Sequence, residues 1–164
     1  MSAPLQMKHQ MMAIYTPLSH KAINQYTITN RSRYGTIMLP RAEAKKALKE
    51  GFEKPVAILF GGDQSPARLT NVHWMQMLNQ ETAVLKGAET YAKDLKCPVI
   101  YFDVQRVKRG YYTVEVSTLF ENPSETGDGE IAEGYMRKLE EIVVAKPEDF
   151  LWSHRRWKLK RPAA

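Results

Sequence analysis

Cysteine is almost absent: Cys97 is the one thiol in 164 residues, so no internal disulfide can form. Its place before Pro98 and an apolar run marks it as a small buried hydrophobe, a usage that fits a reducing, cytoplasmic setting. No run reaches the roughly 18 apolar residues that a bilayer-crossing helix needs. The N-terminus also lacks the charged start and apolar core of a secretory signal, so the chain is expected to be neither secreted nor membrane-spanning. The four histidines, His9, His20, His73 and His154, include no pair at metal-ligand spacing, and without a second cysteine a zinc site is not expected. There is no glycine-rich loop ending in Gly-Lys-Ser/Thr and no dinucleotide fingerprint after a strand, and neither Ser19 nor Ser65 sits in a nucleophile elbow. No cofactor is implied.

Positive charge, by contrast, is plentiful. The formal net charge is +6 with a pI near 9.4, which favours anionic partners such as phosphates, nucleic acid or an acidic membrane. Arg155, Arg156, Lys158, Lys160 and Arg161 place five cations in the last ten residues, beside Trp152 and Trp157. The rest of the chain is nearly neutral. Residues 1–164 suit one domain with a single core, of which 151–164 form a basic, aromatic tail.

Met1 to Gln10 has no clear period; strands and helices then alternate. Met11 to Tyr15 reads as a strand, and Leu18, Ala22, Ile23 and Tyr26 as one apolar helix face. Ile37 to Leu39 reads as a brief strand, followed by a helix with Pro40 in its first turn and Gly51 just past its end. Val56 to Phe60 is the next strand. His73 to Leu78 is strand or extended loop, and Leu85, Ala88, Ala92 and Leu95 trace a helix closed by Pro98. Val99 to Val107 and Tyr111 to Phe120 read as a hairpin added to the sheet. Ile131, Tyr135, Leu139, Ile142 and Val143 mark a last helix, ended by Pro147, with Glu133 and Arg137 as an i,i+4 pair contributing about 0.3–0.5 kcal/mol. The fold class is α/β, a layered mixed sheet with flanking helices.

The candidate site is the loop after Val56 to Phe60. Two glycines, Gly61 and Gly62, then Asp63-Gln64-Ser65-Pro66 read as a polar loop delivered by a buried strand, the usual place for a ligand in an open α/β sheet. Asp63 offers a charged acceptor and Gln64 both a donor and an acceptor; the alternative is a turn in which Asp63 caps backbone amides. Arg106 continues the strand face of Ile100, Phe102 and Val104, which makes it either an anion contact or a structural ion pair. Lys108 and Arg109 belong to the turn. The tail Arg155-Arg156-Trp157-Lys158 suits an anionic membrane interface or nucleic acid, or else tryptophans packed on the body with solvated cations.

Six segments occur in an order that carries a resemblance: Gly62-Asp63-Gln64-Ser65-Pro66, Asn79-Gln80-Glu81-Thr82-Ala83-Val84, Gly87-Ala88-Glu89, Pro98-Val99-Ile100, Arg106-Val107-Lys108-Arg109-Gly110-Tyr111-Tyr112, and Leu151-Trp152-Ser153-His154-Arg155-Arg156-Trp157-Lys158. From about Met12 to Pro162 the chain resembles the C-terminal part of the lipid A biosynthesis acyltransferases, the lauroyl and myristoyl transferase group, in its Bacteroidetes-like form. The resemblance implies a glycerolipid-acyltransferase-like fold and transfer of a fatty acyl chain from acyl carrier protein to a lipid A precursor. It also implies work at the cytoplasmic face of the bacterial inner membrane, here as a peripheral protein on an anionic surface, with no nucleic acid expected.

The family's catalytic device is His-x4-Asp/Glu, in which the acid orients a histidine that acts as general base on the acceptor hydroxyl. None of the four histidines here has an acid at the fifth position; the occupants are Ile14, Gln25, Leu78 and Leu159. Thr16 also stands where relatives tend to carry a basic residue. The chain is therefore expected to be the C-terminal portion of a longer acyltransferase, inactive alone. On the resemblance, Asp63, Gln64 and Ser65 line the substrate site, Arg106 contacts an anion, and no residue is assigned catalysis. The alternative is a noncatalytic module that binds anionic membrane or nucleic acid through its tail.

Overall fold

The computed structural model describes residues 8–162. The first seven residues of the aperiodic opening and the last two of the tail lie outside this range. The chain, read from sequence as one domain, divides into two compact units, Met1–Phe60 and Gly61–Ala164.

The first unit runs β1 (Gln10–Tyr15), α1 (Lys21–Ser32), β2 (Ile37–Pro40), α2 (Arg41–Glu50), β3 (Val56–Leu59). Its strands form a parallel sheet in the order β2-β1-β3, with Met12 opposite Ile37 on one side and Met11 opposite Ala57 on the other. Parallel pairing demands crossover connections, and the two helices supply them. Met11 and Met12 on the central strand are buried, as are Leu39 of β2 and Ala44 and Leu48 of α2, which packs on β1 and β2. Gly51 ends α2 at φ 77°, its N–H bonded to the Ala47 carbonyl at 3.2 Å, a left-handed stop that favours glycine. α1 forms where the apolar period predicts it but buries none of its residues; Leu18, Ile23 and Tyr26 remain exposed.

The second unit holds β4 (Val72–Met77), β5 (Gln80–Leu85), α3 (Gly87–Leu95), β6 (Val99–Lys108), β7 (Tyr111–Phe120) and α4 (Glu130–Ala145), with short 3-10 turns at Pro123–Glu125 and Pro147–Asp149. Met75, Met77 and Val84 from the β4–β5 hairpin meet Ala132 and Met136 of α4, with Leu78, Tyr135 and Leu139 packed around them. Burying a methionine or valine of this kind contributes about 1.5–3 kcal/mol. The anticipated Glu133–Arg137 pair is present at 3.0 Å.

Two sequence expectations are corrected. β5 was missed: Leu85 ends that strand rather than opening a helix face, and α3 begins at Gly87. The hairpin turn is Leu78-Asn79, with φ of 50° and 59°. Two successive left-handed residues make the tight connection that hairpins favour, but leucine is not the residue that announces it. Here the Leu78 N–H is pinned by Glu140 Oε1 at 2.6 Å. The second correction concerns the sheet, which is not single and mixed. β4–β5 and β6–β7 are separate two-stranded antiparallel sheets, apart from the parallel one, because joining two hairpins takes a register between distant strands that no local alternation encodes.

Candidate functional site

The chain leaves β3 at Leu59 and reaches the polar loop through the two glycines. Gly62 is required by space: a Cβ there would lie 2.5 Å from the Tyr135 ring, whereas one at Gly61 would meet nothing closer than Asp63 Oδ1 at 3.8 Å. Asp63 and Gln64 are exposed, Ser65 is half-buried and Pro66 is buried. The Ser65 backbone N–H donates to Nε2 of His154 at 2.9 Å. That bond uses the lone pair of Nε2.

The residues after His154 continue inward. Arg156 is 2% exposed and its Nη1 donates to the Ala83 carbonyl at 2.9 Å; Nε1 of Trp157 donates to Thr82 Oγ1 at 2.9 Å. Both acceptors lie on β5. Arg156 Nε and Nη2 are buried with no hydrogen-bond partner among the described residues. Burial lowers the affinity of this guanidinium for its proton, and the negative charge of Asp63 opposes that effect. Tyr135 donates its hydroxyl to the Leu85 carbonyl at 2.8 Å, and burial pushes its pKa up. The Tyr101 phenol is pushed up to about 12, by burial first and then by Asp103 and Asp63. The Asp63 charge thus acts on β6, α4 and the C-terminal segment together.

The bacterial lipid A biosynthesis acyltransferase family model matches residues 2–159. The chain belongs to that family. No curated protein matches it. In this family member the loop of the first quoted segment and the Trp-Ser-His-Arg-Arg-Trp run of the last are joined in space by the Ser65–His154 bond. Asp63, Gln64 and Ser65 therefore lie together with His154, Arg156, Tyr101 and Tyr135, four residues whose place here the sequence reading did not anticipate. The one available signal was that His154 and Arg156 stand in the same quoted segment.

Arg106 is not joined to this cluster. It stands exposed on β6 opposite Tyr112, five positions from Tyr101, which at ~3.3 Å per residue is roughly 17 Å along the strand. Of the tail residues, Arg155 and Lys158 are exposed, Trp157 is half-buried and Arg156 is buried.

The arrangement can hold and orient a hydroxylated ligand through the free oxygens and amide of Asp63 and Gln64, but it carries no activated nucleophile. Among the described residues Ser65 Oγ has no hydrogen bond to a base and reaches the Pro66 carbonyl at 3.5 Å. Burial pushes the Cys97 thiol up, away from thiolate chemistry. Among the described residues His73 Nε2 approaches Glu133 Oε2 at 3.5 Å without hydrogen-bond alignment, and Glu133 is already paired with Arg137. Among the described residues no helix is long and apolar enough to cross a membrane, and no group of three or more His, Cys, Asp and Glu is placed to hold a metal ion.

Proposed function

We propose that this chain forms the acceptor side of a fatty acyl transfer from acyl carrier protein to a lipid A precursor, within a glycerolipid-acyltransferase-type fold. The observation that carries the reading is the Ser65–His154 hydrogen bond, which closes the polar loop onto the C-terminal segment, where the Asp63 charge is felt by Arg156 and Tyr135. Asp63 accepts from a sugar hydroxyl of the precursor and Gln64 both donates and accepts, so the acceptor is oriented for attack. Exposed Arg155 and Lys158 meet its phosphates or the anionic leaflet, at the cytoplasmic face of the inner membrane.

In the transfer, the acceptor oxygen bonds to the thioester carbonyl, the carbon–sulfur bond breaks, and the hydroxyl proton leaves to a base while the thiol departs protonated. His154 cannot be that base, because its Nε2 lone pair is held by Ser65. None of the four histidines has the family's acid five positions on. None of these histidines is assigned as the base.

Titration of the chain with a lipid A precursor, followed by calorimetry, tests this. Saturable binding that Asp63→Asn and Gln64→Ala each weaken about tenfold, with no turnover in the presence of acyl carrier protein thioester, is the expected result. Turnover by the chain alone overturns the account of the base, and unaltered binding in both variants overturns the loop as acceptor site.

A further inference from the structure

The β6–β7 hairpin wears its apolar side outward. Alternation and register put Ile100, Phe102, Val104 and Arg106 of β6 on one face with Tyr112, Val114, Val116 and Thr118 of β7. That face contains no acid. Asp103 and Glu115 pair on the opposite face, where Gln105 accepts from Lys146 Nζ at 3.2 Å. Antiparallel sheets normally turn such an apolar face to the core. Here Ile100, Val104, Val114 and Val116 are exposed, Val116 at 52% and Tyr112 at 61%.

The end of the hairpin adds charge. Arg106, Lys108 and Arg109 gather three cations around exposed Val107, Tyr111 and Tyr112, and Lys108 Nζ lies 4.4 Å from the Tyr111 ring centroid. Exposed Tyr112, Val114 and Val116 on one face with Arg106, free of acids and with Lys108 and Arg109 at its turn end, match the layered chemistry of a bilayer interface, where rings lie at headgroup depth and cations meet anionic lipid. We propose that this face of β6–β7 is the surface on which the protein docks to an anionic lipid bilayer.

Open edges set the depth. Among the described residues the two strands pair only with each other, so each leaves one row of backbone groups without a strand partner. Those groups must stay hydrated, so the hairpin lies flat in the headgroup layer and does not cross it. The buried Arg156 and the Thr82-bonded Trp157 leave the tail fewer free groups for such a surface than the hairpin has. The assignment does not rest on acyl transfer, because vesicle binding is read without turnover.

Sedimentation of the full chain with vesicles of phosphatidylglycerol and phosphatidylethanolamine provides the test, with phosphatidylcholine vesicles as the neutral reference. Binding to the anionic vesicles is expected, weakening as ionic strength rises. It should fall about 100-fold in the triple variant Arg106→Gln, Lys108→Gln, Arg109→Gln. The near-isosteric triple variant Val104→Thr, Val114→Thr, Val116→Thr should lose about tenfold, while its circular dichroism and thermal transition match the wild type. Vesicles should also slow amide exchange across 111–116. Equal binding to neutral vesicles, or full binding by both hairpin variants, overturns the proposal. So does loss of binding in Arg155→Gln, Lys158→Gln alone, or a dimer that covers the hairpin and leaves vesicles unbound. Binding without acyl transfer leaves the hairpin assignment standing and fails only the catalytic reading.

Discussion

The backbone N–H of Ser65 donates to Nε2 of His154 across 89 positions of sequence, and this one bond fastens a polar loop to a C-terminal segment. Replacing His154 by alanine should cost about 1–2 kcal/mol in urea denaturation and speed hydrogen exchange at the Ser65 amide. Unchanged protection of that amide would show that the loop is held by other means.

Arg156 offers a sharper comparison. Its Nη1 has the Ala83 carbonyl, but Nε and Nη2 have no partner among the described residues, so the buried charge is poorly compensated. Arg156→Met, which fills the volume without a charge, should lose less stability than Arg156→Ala, for which about 3 kcal/mol is expected. Equal losses in chemical denaturation would mean that the charge itself is needed.

Gly61 and Gly62 are adjacent but unequal. Gly61→Ala has room, whereas Gly62→Ala must displace the Tyr135 ring and strain the Tyr135–Leu85 bond. A loss of about 1–3 kcal/mol is expected for Gly62→Ala and almost none for Gly61→Ala; the two melting temperatures decide, and identical ones would refute the close approach.

Glu89 is a buried acid that no local pattern explains. Burial raises its pKa, but the Gly129 N–H at 2.8 Å, the Lys93 ammonium at 3.0 Å and the Ala132 N–H at 3.2 Å outweigh that and hold it below the ordinary 4.5. The folded value lies below the unfolded one, so the ionised carboxylate stabilises the native state. That contribution is complete above about pH 4.5 and is lost as pH falls through the lowered native value. Glu89→Gln should cost about 2–3 kcal/mol near neutral pH. The gap between wild type and variant should narrow below 4.5; a constant gap across pH would contradict a charged Glu89.

Element order was legible because apolar periods and proline or glycine stops are local: β1, α1, β2, α2, β3, α3, the β6–β7 hairpin and α4 all follow from them. β5 was not, since its turn depends on Leu78 and Asn79 adopting a conformation fixed by Glu140, 62 residues away. Burial was only partly legible. Helical spacing predicts a stripe on α1, yet spacing says nothing about whether a surface exists to cover it. The candidate loop was legible as a polar strand end, but its neighbours were not, because Arg156 reads as a surface cation until the β5 carbonyl it reaches is known. Five cations in ten residues suggested a solvated or membrane-facing tail, and one of them is among the most enclosed side chains in the protein.

Those long separations also bear on how the protein is made. Thr82 and Trp157 lie 75 positions apart, so the Thr82 hydroxyl and the Ala83 carbonyl wait for their partners through much of synthesis. At about 5–20 residues per second, the stretch from the end of α4 to Trp157 takes roughly a second to emerge. During that interval the methionine core can form, but the loop at Asp63 stays unfastened. A nascent chain stalled before His154 would present a packed body with an open loop, a substrate for proteases that the finished chain is not.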